Sequence, residues 1–147
     1  SDAQTQLDAK ATTANRLDEF AAPTAEVDIN GQEVSDIKLK NYYETDVALS
    51  SSSGVVAVDL ANGNVGALTL TENVTDIDFT NVPANGVSSF TLKITQDASS
   101  AYTVAINAIT VNAGSAVTGK TAGGSGFTMS TTLGGEDIIT FLFFSIQ

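Results

Sequence analysis

Apolar and polar residues alternate strictly along Ala67-Leu68-Thr69-Leu70-Thr71 and again along Val74-Thr75-Asp76-Ile77-Asp78-Phe79. Each segment therefore predicts a β-strand with one buried and one wet face. The same character runs through Val56-Ala57-Val58-Asp59-Leu60, Ser89 to Thr95, Tyr102 to Ile106, Ile109 to Val111 and Phe127 to Ser130. Gly, Asn and Ser turns separate these runs, as at Asn62-Gly63-Asn64. About eight strands with turn signals every 8 to 12 residues predict an antiparallel β-sandwich, jelly-roll-like in its connections. The closing run from Asp137 to Ile146 is apolar at nearly every position from Ile138 to Phe144. That pattern predicts burial on both faces, with a symmetry-related copy covering the second or, as the alternative, the strand lying at the centre of a two-layer core.

The first third of the chain reads differently. From Ala3 to Ala21 there is no Gly or Pro, and small or apolar residues fall at Ala3, Leu7, Ala14, Leu17 and Ala21, with Lys10 interrupting the row. This 4-3 spacing predicts a short coiled-coil helix that Ser1 or Asp2 caps and Pro23 ends. Between Thr24 and Leu49, Val27-Asp28-Ile29 and Ile37-Lys38-Leu39 flank or follow Asn30-Gly31, a pair suited to a tight reversal. Tyr42-Tyr43 then leads into Ser50-Ser51-Ser52-Ser53-Gly54, which predicts a flexible hinge. The expected organisation is a helical coiled-coil segment at 1–22, a β collar with a Ser-rich hinge at 23–53, and a β-sandwich head at 54–147.

Composition removes whole classes of function. With no Cys and no His, disulfides, thiolate nucleophiles, Cys/His zinc sites and histidine-based triads are excluded. Six Lys and Arg against 17 Asp and Glu give a net charge of −11, which repels nucleic acid and anionic membrane surfaces. No apolar run approaches the roughly 18 residues of a membrane-spanning helix, and the polar start lacks the pattern of a signal peptide. Neither an enzyme activity nor a cofactor is expected.

Three constellations carry possible chemistry. Asp76 and Asp78, two apart on one strand, share a face and could contribute to a calcium site or an acid–base pair, with Glu72 nearby. Asp28, Glu33 and Asp36 surround the Asn30-Gly31 turn without the spacing of an EF-hand. Gly114 to Thr121 formally matches the phosphate-loop pattern, but Gly123-Gly124-Ser125-Gly126 breaks the helix such a loop needs. The expectation is solvated acidity for the first two and a mobile loop for the third.

The β region also resembles a recurring module of bacteriophage tail fibres and related virion appendage proteins. The residues that carry the resemblance are Val58-Asp59-Leu60, Asn62-Gly63-Asn64, Leu68-Thr69-Leu70, Asn73-Val74-Thr75, Phe79-Thr80-Asn81, Pro83-Ala84-Asn85-Gly86, Phe90 to Asp97 and Gly135 to Phe141. They cover roughly 55 to 147. Ala3 to Ala11 and Phe20 to Ala25 look like fibre-shaft sequence. The resemblance implies a trimeric virion fibre, made in the host cytoplasm, with its C-terminal β-domain at the tip. Its implied partners are its own copies, other virion proteins and a host cell-surface glycan or protein. The trimer-interface candidates are Leu7, Ala14, Leu17 and Ala21 on the helix and Phe141 and Phe143 on the last strand. A capsid decoration protein without a receptor and a calcium-dependent carbohydrate-binding module are the alternatives.

Overall fold

A computed structural model describes residues 35–105, 109–115 and 127–144. The predicted helix, with Leu7, Ala14, Leu17 and Ala21, the Asn30-Gly31 turn and most of the Gly114–Thr121 loop lie outside the described residues. The chain divides into Ser1–Lys40 and Asn41–Gln147. Of the first unit, Ser35–Lys40 are described, and they are exposed.

The second unit is mainly β, and no α-helix occurs among the described residues. Its strands are β1 (Asp46–Leu49), β2 (Ser51–Ser52), β3 (Val55–Asp59), β4 (Val65–Thr69), β5 (Asp76–Thr80), β6 (Val87–Thr95), β7 (Ile109–Val111) and β8 (Glu136–Phe144). They form two four-stranded sheets in the orders β1-β4-β6-β8 and β2-β3-β5-β7.

The expected antiparallel jelly roll is corrected by the pairing. β1, β4 and β6 run parallel, as do β3, β5 and β7. Only the β2–β3 hairpin and the β6–β8 pair are antiparallel. The chain alternates between the sheets, and each return adds a strand beside the previous one. A parallel pair needs a crossover connection. Here the strand of the opposite sheet supplies it, so the chain winds as a short coil that β8 closes by turning back along β6.

Successive turns stack like on like. Val56, Ile77 and Ile109 stand in register, as do Val58, Phe79 and Val111 in the same sheet, and Leu49, Leu68 and Ile94 in the other. The inward residues of both sheets share one apolar core. Phe79 sits at its centre with its ring 5.7 Å from that of Phe90, 5.1 Å from Phe141 and 4.9 Å from Phe143. Gly66 makes room for this cluster, since a Cβ there would come within 2.7 Å of the Phe90 ring.

Several local expectations also change. The Ser-rich run is no hinge. Ser51 and Ser52 pair with Val56 and Val55, and Ser53 and Gly54 close the hairpin with φ of 54° and 78°. Two positive φ values are what a type I′ turn requires. The buried Gly54 carbonyl accepts from the backbone N–H groups of Thr75 and Asp76 at 2.7 and 3.2 Å, which fastens the hairpin to the next turn of the coil. The stretch from Tyr102 yields only a parallel bridge between Val74 and Val104, and Phe127–Ser130 is irregular rather than a strand. β8 is buried on one face only: Ile139, Phe141 and Phe143 pack on the core, while Ile138, Leu142 and Phe144 point outward.

Candidate functional site

The acidic pair lies where the alternation placed it. Asp76 and Asp78 project from the outer face of β5, with Asp78 level with Ala57 on β3 and Thr110 on β7. The Thr110 hydroxyl donates to Asp76 Oδ2 at 3.1 Å. Asp78 Oδ1 is shielded from solvent and meets no donor among the described residues. Among those residues, no group of three or more Asp, Glu, His or Cys comes together to hold a metal ion. Calcium wants six to eight oxygens, so two carboxylates on a flat sheet fall well short.

Where the chain leaves the β3-β5-β7 sheet, the turns are locked by amide side chains. Asn81 and Asn112 adopt left-handed φ of 55° and 49°, which asparagine tolerates better than most residues. The Asn81 amide donates to Asp59 Oδ1 at 2.7 Å, and the same oxygen accepts from the Ala61 N–H at 2.9 Å. Asn112 grips Val82 at both backbone groups, accepting from its N–H at 3.0 Å and donating to its carbonyl at 2.9 Å.

The opposite margin is organised around Gln96, which is 2% exposed at the end of β6. Its amide nitrogen donates to the carbonyls of Tyr102 and Ser130 at 2.8 and 2.9 Å, and its oxygen accepts from the Tyr102 N–H at 2.9 Å. Its own N–H donates to the Gly135 carbonyl at 2.8 Å. Beside it, Asp97 folds the loop on itself by accepting from the N–H and hydroxyl of Ser99 and from the N–H of Ser100, at 2.7, 2.6 and 2.9 Å. Asn73 Oδ1 accepts from the N–H of Thr103 at 2.9 Å. The loops of this margin are therefore held in defined shapes.

These bonds favour the charged carboxylates. The Asn81 amide, followed by the Ala61 N–H, holds Asp59 below the usual carboxylate range, and the Ser99 hydroxyl, followed by its N–H, does the same for Asp97. A depressed folded-state pKa contributes stability that is present above the unfolded value of about 3.9 and lost as pH falls through the folded one. The Asp59→Asn/Asp97→Asn double variant should therefore lose less thermal stability than the parent between pH 5 and the acid limit. Melting temperatures across that range check this, and parallel curves would refute it.

The third feature is the outward face of β8, the edge strand of its sheet. Ile138, Leu142 and Phe144 are 68%, 59% and 65% exposed, and Val87, the partner of Phe144 on β6, is 63% exposed. Around them lie Ser89, the Thr91–Thr140 hydroxyl pair at 3.1 Å and the exposed Lys93–Glu136 ion pair at 3.0 Å. The candidates Phe141 and Phe143 point the other way, onto Phe79. Tyr42 and Tyr43 are both exposed.

Compared with known protein families, curated proteins and solved structures, the chain matches none. Among the described residues no helix is long and apolar enough to cross a membrane. Sequence reasoning missed Gln96, Asn81 and Asn112. For the two asparagines a usable signal existed, since each directly follows a β-rich run where the chain must turn.

Proposed function

We propose that this chain is a structural fibre protein of a bacteriophage-type virion, which associates as a trimer and presents its C-terminal β-domain to a host cell surface. The observation that supports this reading best is the wound coil with side-chain locks on both margins. A binding surface carried on loops needs a rigid scaffold beneath it. Here Gln96, Asp97 and Asn73 fix the loops at one margin, and Asn81 and Asn112 fix those at the other. The fibre-like sequence of 55–147 points the same way. Three copies in one assembly would bind a repetitive surface with avidity, since the second and third contacts form at high effective concentration.

The test is binding of the labelled full chain to intact bacterial cells of several hosts and to arrayed glycans, with and without chelator. Preference for one host's cells or one glycan class, unaffected by chelator, is the expected result. Uniform absence of binding would move the assignment to a decoration or connecting protein. Binding lost with chelator would move it to a calcium-dependent carbohydrate-binding module.

A further inference from the structure

We infer that the outward face of β8, extended by Val87 on β6, is the surface through which copies of this chain pack on one another. The inference deepens the fibre reading and rests on it, because that reading calls for adjacent copies while its candidates on the last strand, Phe141 and Phe143, face the core.

Area is the first argument. Ile138, Leu142, Phe144 and Val87 are each about three-fifths exposed on the same face of the β6–β8 ladder, where Leu142, Phe144 and Val87 adjoin and Ile138 lies beyond the Thr91–Thr140 pair. The three adjoining residues present on the order of 400 Å² of apolar surface, within the range of the largest patches that monomeric proteins show. A standard interface buries about 800 Å² per partner with its apolar part at the centre. This patch supplies such a centre, and Ser89, Thr91, Thr140 and the Lys93–Glu136 pair supply a polar rim.

Charge is the second. Two copies that each carry −11 repel one another, so they associate best where no charge must be buried. From Ile139 to Phe144 the strand carries none, and neither do the facing residues Val87 to Leu92, while Lys93, opposite Ile138, is paired with Glu136 at 3.0 Å.

The third is the edge itself. Natural edge strands are usually short, or are blunted by Lys, Pro or a bulge. β8 runs nine residues without Lys or Pro, and its two charges, Glu136 and Asp137, stand at its first two positions. A second copy of the chain is the occupant this combination of area, neutrality and a long edge without Lys or Pro fits.

The absence of cysteine allows a direct test in the full chain. The Leu142→Cys variant, oxidised in air, should give a covalent species of about twice 15.1 kDa, while Thr71→Cys, on an exposed loop, should not. In parallel, Leu142→Asp should raise the concentration at which the oligomer dissociates by about tenfold or more, with an unchanged far-ultraviolet spectrum. An oligomeric parent whose Leu142→Cys variant stays uncrosslinked and whose Leu142→Asp variant dissociates normally would overturn the inference and leave the fibre reading standing. A parent of dimer mass with efficient crosslinking would uphold the inference and remove the trimer. A parent that is monomeric at every concentration would overturn both, and protection of the Leu142→Cys thiol from reagent in that monomer would assign the face to another segment of the same chain.

Discussion

Replacing Gln96 with leucine should destabilise the β-domain by about 3 kcal/mol, although the change makes a buried position more apolar. The simple hydrophobic expectation has the opposite sign. Leu70 follows Thr69 on β4 as Gln96 follows Thr95 on β6, and those threonines are ladder partners, so an apolar residue is buried at the equivalent place one turn earlier. Gln96, however, is the partner of three backbone groups: the carbonyls of Tyr102 and Ser130 and the N–H of Tyr102. Leucine satisfies none of them, and each orphaned buried group costs about 1–3 kcal/mol. Partial rehydration of the 102 and 130 loops sets the total near the lower end of that sum. For a unit of about 100 residues the loss corresponds to a fall in melting temperature of roughly 12–20 °C. Glutamate at the same position should do no better, because a carboxylate keeps the acceptor for Tyr102 but sets negative oxygen against two carbonyls. Urea unfolding followed by circular dichroism measures the effect. A Gln96→Leu variant within 1 kcal/mol of the parent would show that the amide fills space without organising the loops.

How far the sequence reveals this fold differs between its levels. Faces were legible: the alternation along Val74 to Phe79 puts Ile77 and Phe79 inside and Asp76 and Asp78 outside, and the structure agrees. Most strand positions followed within two residues. Partners were not legible, and the reason is geometric. Leu70–Thr75 and Asn81–Gly86 join consecutive strands, and connections this short suggest a hairpin. Six residues can also span about 20 Å, twice the roughly 10 Å between packed sheets. A short loop is therefore equally compatible with folding back in one sheet and crossing to the other, and hydrophobic period carries no information about which occurs.

The site shows the same division. The acidic pair was predictable because it depends on one strand alone. The role of Gln96 depends on loops 6 and 34 residues further along the chain, and a glutamine at a strand end reads from sequence as exposed. The serine run misled for a related reason. Small polar residues give no apolar signal, yet Ser51 and Ser52 are held by backbone bonds that any side chain permits, and Gly54 supplies the positive φ that closes the hairpin. For the last strand the sequence showed two apolar faces correctly, but only three-dimensional placement could tell that β8 lies at an edge.

Phe79→Ala should be the most damaging single change in the described core, at about 3–5 kcal/mol. Phe79 is fully buried on β5, and its ring reaches across the interior to three rings of the opposite sheet, those of Phe90 on β6 and of Phe141 and Phe143 on β8. Its edge-on and tilted contacts with these rings add about 0.5–1.5 kcal/mol each to what burial alone contributes. The cavity left by alanine lies between β5 and β6, each fixed by ladders on both sides, so those walls have little freedom to collapse into it. Leucine fills most of the volume and should cost less than half as much. Since β8 meets its own sheet along one edge only, losing the ring beneath it should loosen that strand first. Hydrogen exchange at the amides of β8 in Phe79→Leu, the milder change, reads this out. Faster exchange confined to β8 is expected. Uniform acceleration across β3 to β8 would mean that Phe79 supports both sheets equally and that the edge strand gains no special anchorage from it.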